Sequence, residues 1–537
     1  MLTRTKVSLL IITLVFNLTA CGGGGGGTLE MQPPITTPPA LGPGQVATTE
    51  GTYQGETVGN LLVFKGIPYA APPVGTLRFK APEPPASFSN VRDALAFGSD
   101  CTHPQGSSTT GSEDCLFLNI WGHNDDTVRP VMVYMHPGSS SDIASISPEE
   151  FAEAADVVVV NLNRRVGALG YLAIDELIAE NPRTTAGNYG LLDTIAALLW
   201  VQNNIDEFNG DPTHVMMFGT SSGGILACAM LGAPEVAGLV NAVAVQSAPC
   251  GGPPMQVLKA SSPHDSFAPP TVESHRSLLT AVGCESAADI LACLRGLSAE
   301  EITLAGAGED AAVTYSLFSS IVDGVVVQHP PRTALANQTI GDIPLIVGMA
   351  NNEVGNRFDN LDIPDDATYQ AVLTSIFPDP VDDILYALYP SANYPTPKDA
   401  FLELFADLIF SCNAESLALS AMAGTPSYLY EITRGFDSGF RAGLGAFHAI
   451  DLPYLFGTFD VFGYEPDAQA LAIRDAMRTA WRDLAADPTS APAISPDGTM
   501  LWPAFAPETA SYIEFGDTIS ASTSHRGGRC ADLRAAL

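Results

Sequence analysis

Short apolar runs bounded by glycine and polar residues recur along this chain, and longer stretches of helical and loop-like composition separate them. Val215-Met216-Met217-Phe218 predicts a strand, Gly219-Thr220-Ser221-Ser222-Gly223 a sharp turn, and Ile225-Leu226-Ala227-Cys228-Ala229-Met230-Leu231 a helix. Ile343-Pro344-Leu345-Ile346-Val347-Gly348 and Ile321-Val322 read as further strands. Residues 253–340 and 364–424 read as helical and loop-rich insertions. Near the start, Arg4 and Lys6 precede a short apolar core at residues 9–16, the pattern of a removable leader rather than of a spanning helix. Glycines fill residues 22–27, and Pro33-Pro34, Pro38-Pro39 and Pro43 follow, so a flexible piece leads into an extended one. There is no internal repeat. The expected organisation is a leader at residues 1–20, a tether at 21–47 and one large domain at 48–537.

The strand–turn–helix around Ser221 is the most informative chemistry in the chain. A serine on so tight a turn is pushed out of the sheet, where its hydroxyl can meet a carbonyl carbon. This predicts an α/β-hydrolase fold, in which a mostly parallel sheet is flanked by helices and the insertions form a cap and gorge. Such a nucleophile needs a base, and the base needs an acid that holds its tautomer, in the chain order Ser, Asp or Glu, His. Glu353 follows the strand-like run ending at Gly348, where this fold class places catalytic groups. Asp323, after Ile321-Val322, is the rival acid, with a turn before Gly324 as its plain structural role. Beyond Glu353 only His448 and His525 remain as bases. His448 approaches an apolar segment, whereas His525 lies in a Ser/Arg/Gly-rich tail.

Many further segments arrive in a recognisable order. They include Phe64-Lys65-Gly66-Ile67-Pro68-Tyr69-Ala70, Ser112-Glu113-Asp114-Cys115-Leu116, Gly187-Asn188-Tyr189-Gly190-Leu191-Leu192-Asp193 and Phe208-Asn209-Gly210-Asp211-Pro212. With the nucleophile elbow, the strand–turn–helix around Ser221, they make residues 48–535 resemble the type-B carboxylesterase/lipase family, which includes cholinesterases and bacterial para-nitrobenzyl esterases. The resemblance puts the triad on Ser221, Glu353 and His448. It puts the oxyanion donors on the backbone N–H groups of Gly138, Ser139 and Ser222. Two departures stand out: Pro137-Gly138-Ser139 replaces a glycine triplet, and Thr220 replaces a glutamate beside the nucleophile. Proline lacks an N–H but falls outside the three donor positions. The bulk of Pro137 and Ser139 predicts good hydrolysis of primary-alcohol esters and little of tertiary ones.

The resemblance also implies disulfides Cys101–Cys115, Cys284–Cys293 and Cys412–Cys530, leaving Cys228 and Cys250 free, with Cys228 packed in the helix after the elbow. The loop at residues 102–114 has no Phe, Trp or Tyr to receive a quaternary ammonium, so choline esters are poor candidates. The expected activity is hydrolysis of small-molecule carboxylic esters through an acyl-enzyme. A lipase or polyesterase acting on insoluble esters is the alternative, and a non-catalytic adhesion protein of the same fold is a more distant one.

Composition narrows the picture further. The formal charge of −35 disfavours nucleic acid as a partner. Cys/His ligand spacing and a glycine-rich nucleotide loop are both missing, so neither metal nor cofactor is expected. Leu18-Thr19-Ala20-Cys21 resembles a bacterial lipobox. That signal implies lipidation of Cys21 and membrane anchoring in the cell envelope, at the outer membrane where the host has one.

Overall fold

The computed structural model describes residues 41–537 apart from 139–147, 251–255, 258–274, 308–317, 356–360, 378, 422–424, 496 and 537. Its centre is an eleven-stranded sheet. In chain order the strands are β1 Glu56–Val58, β2 Leu61–Pro68, β3 Phe117–His123, β4 Arg129–Met135, β5 Val158–Leu162 and β6 Gly210–Thr220. They continue as β7 Ala242–Gln246, β8 Leu345–Ala350, β9 Ser427–Ile432, β10 Tyr512–Phe515 and β11 Ile519–Ser522. Their spatial order is β11-β10-β9-β8-β7-β6-β4-β5-β3-β2-β1. Pairing is parallel from β5 through β10 and antiparallel at both ends, the expected α/β-hydrolase arrangement.

Continuous apolar runs form the inner strands because both of their faces are covered. Every residue of β5, β7, β8 and β9 is buried. Side chains alternate between the faces. Val131, Val133, Val215, Met217, Val243 and Val245 pack against helices α1 (Tyr189–Asn204), α2 (Ser222–Leu231) and α3 (Cys412–Ser420). Met132, Tyr134, Met216, Phe218 and Ala244 pack on the other side, against α4 (Asp451–Phe456) and α5 (Ala468–Ala486). Fully burying each large apolar side chain contributes roughly 1.5–3 kcal/mol.

Two satellite cores join the inserted segments to other parts of the chain, one around Leu172, Leu279 and Ile302 and one around Tyr369, Leu404 and Leu533. The folded body begins at Gly42, earlier than the tether boundary read from composition. Gln45–Ala47 already pairs antiparallel with Thr52–Gln54. The leader lies outside the described residues, and among those described no helix is long and apolar enough to cross a membrane.

Among the described residues there are four disulfides. Cys101–Cys115, Cys284–Cys293 and Cys412–Cys530 pair as expected. The expectation that Cys228 and Cys250 are free is overturned: they form the fourth bridge, with Cα atoms 5.9 Å apart. Topology explains the pairing. Strands β6 and β7 are parallel neighbours, so α2, leaving β6, runs beside the chain that leaves β7. Counting pairs by family resemblance missed this proximity.

Candidate active site

Strand β6 ends at Thr220 and α2 starts at Ser222, so Ser221 alone makes the turn, with φ 55° and ψ −119°. That conformation is strained for a residue with a side chain, and such strain clusters at functional sites. It is held from both sides: Ser221 N–H donates to the Gln246 carbonyl at 2.9 Å, and Ile225 N–H donates to the Ser221 carbonyl at 2.9 Å. Glycine is required nearby for close approach. A Cβ on Gly223 would stand 2.1 Å from the Met135 carbonyl oxygen, and one on Gly219 would stand 2.5 Å from the backbone of Gly223.

Two other strand ends bring the partners. Glu353 lies just past β8 and His448 on the long connection after β9. Asn352 and Phe447 form a parallel bridge, Asn352 N–H donates to the Ala446 carbonyl at 3.0 Å, and the Asn352 side-chain amide donates to the Leu444 carbonyl at 2.7 Å. This zipper sets the next residue on each strand, Glu353 and His448, side by side. The Glu353 carboxylate is fully buried. One oxygen accepts the Ala350 N–H at 2.8 Å and the other accepts Nδ1–H of His448. With Nδ1 protonated, Nε2 is left as the acceptor, and it lies 2.9 Å from Ser221 Oγ. The His448 side chain is 14 % exposed, and Phe410 meets its ring edge-on with centroids 5.5 Å apart.

The rival residues are engaged elsewhere. Asp323 Oδ1 accepts the N–H groups of Val325, Val326 and Val327 at 3.0, 2.8 and 2.9 Å, and its other oxygen accepts the Thr185 hydroxyl. His525 is fully buried and bonds Glu415 through Nδ1 at 3.2 Å.

Of the three expected oxyanion donors, Gly138 and Ser222 are brought together, since Ser222 Oγ donates to the Gly138 carbonyl at 2.8 Å. Gly138 takes φ 68°, a left-handed conformation that suits glycine. Ser139 lies outside the described residues. Thr220 is buried, with its hydroxyl 3.5 Å from Gln246 Oε1, so no charge stands at that position.

Two buried ionisable residues here were not anticipated from sequence. Asp451, the first residue of α4, receives the Tyr430 hydroxyl at 3.0 Å and the Ser247 hydroxyl at 3.1 Å. Burial, helped by the nearby Glu353 charge, pushes its carboxyl up to about 7. Its position three residues after His448 was the available signal. Arg164 follows β5 and donates through Nη2 to the His136 carbonyl at 3.2 Å and to Ser222 Oγ at 3.4 Å. The signal for it was Arg164-Arg165 two residues after a fully buried strand, in a chain with only 24 basic residues. Burial, with the Arg164 charge second, keeps His136 well below its usual range and therefore neutral.

Residues 42–531 match the model of the Carboxylesterase family. The chain is 30% identical over 487 residues to the para-nitrobenzyl esterase of Bacillus subtilis, covering 87% of this chain and 94% of that one. It is 33% identical over 482 residues to the Fumonisin B1 esterase of Sphingopyxis macrogoltabida, covering 85% and 84%. A solved thermophilic PNB esterase superposes with a TM-score of 0.76 at 26% identity, over 91% of this chain and 99% of that one. Fold, site and relatives converge: the chain belongs to the carboxylesterase family and is a carboxylic ester hydrolase.

Proposed function

We propose that this chain is a serine carboxylesterase in which Ser221, His448 and Glu353 form a catalytic triad. The observation that carries the reading is the continuous line of hydrogen bonds from buried Glu353 through His448 to the strained Ser221 hydroxyl. His448 Nε2 takes the proton of Ser221 as Oγ attacks the ester carbonyl. Glu353 holds the imidazole and stabilises its charged form. The N–H groups of Gly138, Ser139 and Ser222 receive the oxyanion, the alcohol leaves with the proton from His448, and water then releases the acid. Ser221→Ala should lower turnover of a para-nitrophenyl ester by several orders of magnitude while the protein stays folded. Turnover near wild type would reject this nucleophile.

The leader at residues 1–20, the lipobox-like Cys21 and the glycine- and proline-rich tether support a second part of the reading. The domain is held at a membrane surface of the cell envelope by lipid on Cys21. Wild type should partition into detergent and Cys21→Ser should not. Equal partitioning of the two would reject the anchor.

A further inference from the structure

Arg164 is 2 % exposed, and among the described residues no carboxylate pairs with it. Its electrostatic neighbours are the phenols of Tyr171, Tyr69 and Tyr134, and its Nη1 has no hydrogen-bond partner. The adjacent Arg165 is the contrast. Also buried, it holds Asp193 with two side-chain bonds, of 2.8 and 2.6 Å. A buried charge without a carboxylate partner opposes folding, and among the described residues Arg164 is such a charge, so its presence calls for a compensating use.

Its placement supplies one. Nη2 contacts both chain segments that build the expected oxyanion hole: the His136 carbonyl before Pro137-Gly138, and the hydroxyl of Ser222 after the nucleophile. That hydroxyl passes a hydrogen bond on to the Gly138 carbonyl at 2.8 Å. A neutral donor could make the same bonds; what a guanidinium adds is fixed positive charge behind the donors. During attack the Ser221 Oγ–carbon bond forms and the serine proton moves to His448. The carbonyl π pair moves onto the oxygen, creating a negative charge that was absent in the ground state. Fixed positive charge in a water-poor site stabilises that state selectively.

We propose that Arg164 is a positioning residue, whose buried positive charge braces and polarises the oxyanion hole through Ser222 and the His136 carbonyl. The proposal rests on the triad reading above. The test compares Arg164→Gln, which keeps a donor without the charge, with Arg164→Lys, which keeps the charge. In the Gln variant kcat should fall roughly 30-fold while KM changes little. Affinity for a trifluoromethyl ketone, which adds to the serine and carries the oxyanion, should weaken by a similar factor. Affinity for the matching methyl ketone should hold, and the Lys variant should stay close to wild type in all three.

A folded Gln variant with wild-type kcat, or one that weakens both ketones equally, overturns the proposal. If the Gln variant does not fold, a folded Lys variant decides. Near-wild-type kcat and ketone discrimination support the role of charge, and loss of either overturns it. Activity surviving in Ser221→Ala would instead remove the triad reading, whereas an inactive Ser221→Ala beside an unaffected Arg164→Gln removes only this inference.

Discussion

The Tyr430 hydroxyl lies 3.0 Å from Asp451 Oδ2, inside the core, three residues past His448. It and the Ser247 hydroxyl donate to one oxygen of that carboxyl, and among the described residues its other oxygen has no partner. Such a site favours the neutral acid, and the group's pKa accordingly rises from 3.8 to about 7. Between those values the folded protein binds a proton that the unfolded chain has released. Stability from Asp451 is therefore complete below about pH 4 and declines as pH rises toward about 7. The upper bound on the loss is on the order of 4 kcal/mol. Asp451→Asn, permanently neutral, should gain in Tm relative to wild type as pH is raised from 5 to 8. A Tm difference that stays flat, or moves the other way, would show that Asp451 is ionised throughout.

The acid assignment separates two carboxylates by what they hold. Glu353 holds the imidazole, so Glu353→Gln should lower kcat by roughly 10³–10⁴-fold with little change in folding. Asp323 ties three backbone N–H groups in a turn. Asp323→Ala should cost about 1–3 kcal/mol of stability and leave kcat near wild type. The opposite pattern, an inactive Asp323→Ala beside a fully active Glu353→Gln, would reverse the assignment.

With Cys228 and Cys250 bridged, every cysteine after Cys21 is in a disulfide. Thiol titration of the unreduced, denatured mature domain should find none. Closing a loop of 22 residues corresponds to roughly 3 kcal/mol, so Cys228→Ser with Cys250→Ser should lower Tm by several degrees. A titre of two thiols would contradict the bridge.

What could be read from the sequence followed local pattern. The elbow was legible because the strand, the glycines and the helix are contiguous. Glu353 and His448 were legible through chain order and, for Glu353, a preceding strand. Arg164 and Asp451 were not, because their meaning is tertiary. One is a cation whose burial away from any carboxylate among the described residues shows only after folding, and the other is a carboxylate that looks like an ordinary first-turn residue of a helix. The Cys228–Cys250 bridge was missed for the same reason, since it depends on β6 and β7 being neighbours. The start of the folded body was misjudged at Gln45–Ala47, where a three-residue edge strand among glycine and proline carries almost no periodic signal.

The central claim is that Ser221 is the acylated residue. Wild type treated with a reactive organophosphonate should lose activity in step with incorporation of one label per chain, and peptide mass spectrometry should place that label on Ser221. Ser221→Ala should remain unlabelled on the same timescale. Stoichiometric label on a different serine, or labelling of Ser221→Ala at the wild-type rate, would contradict the account.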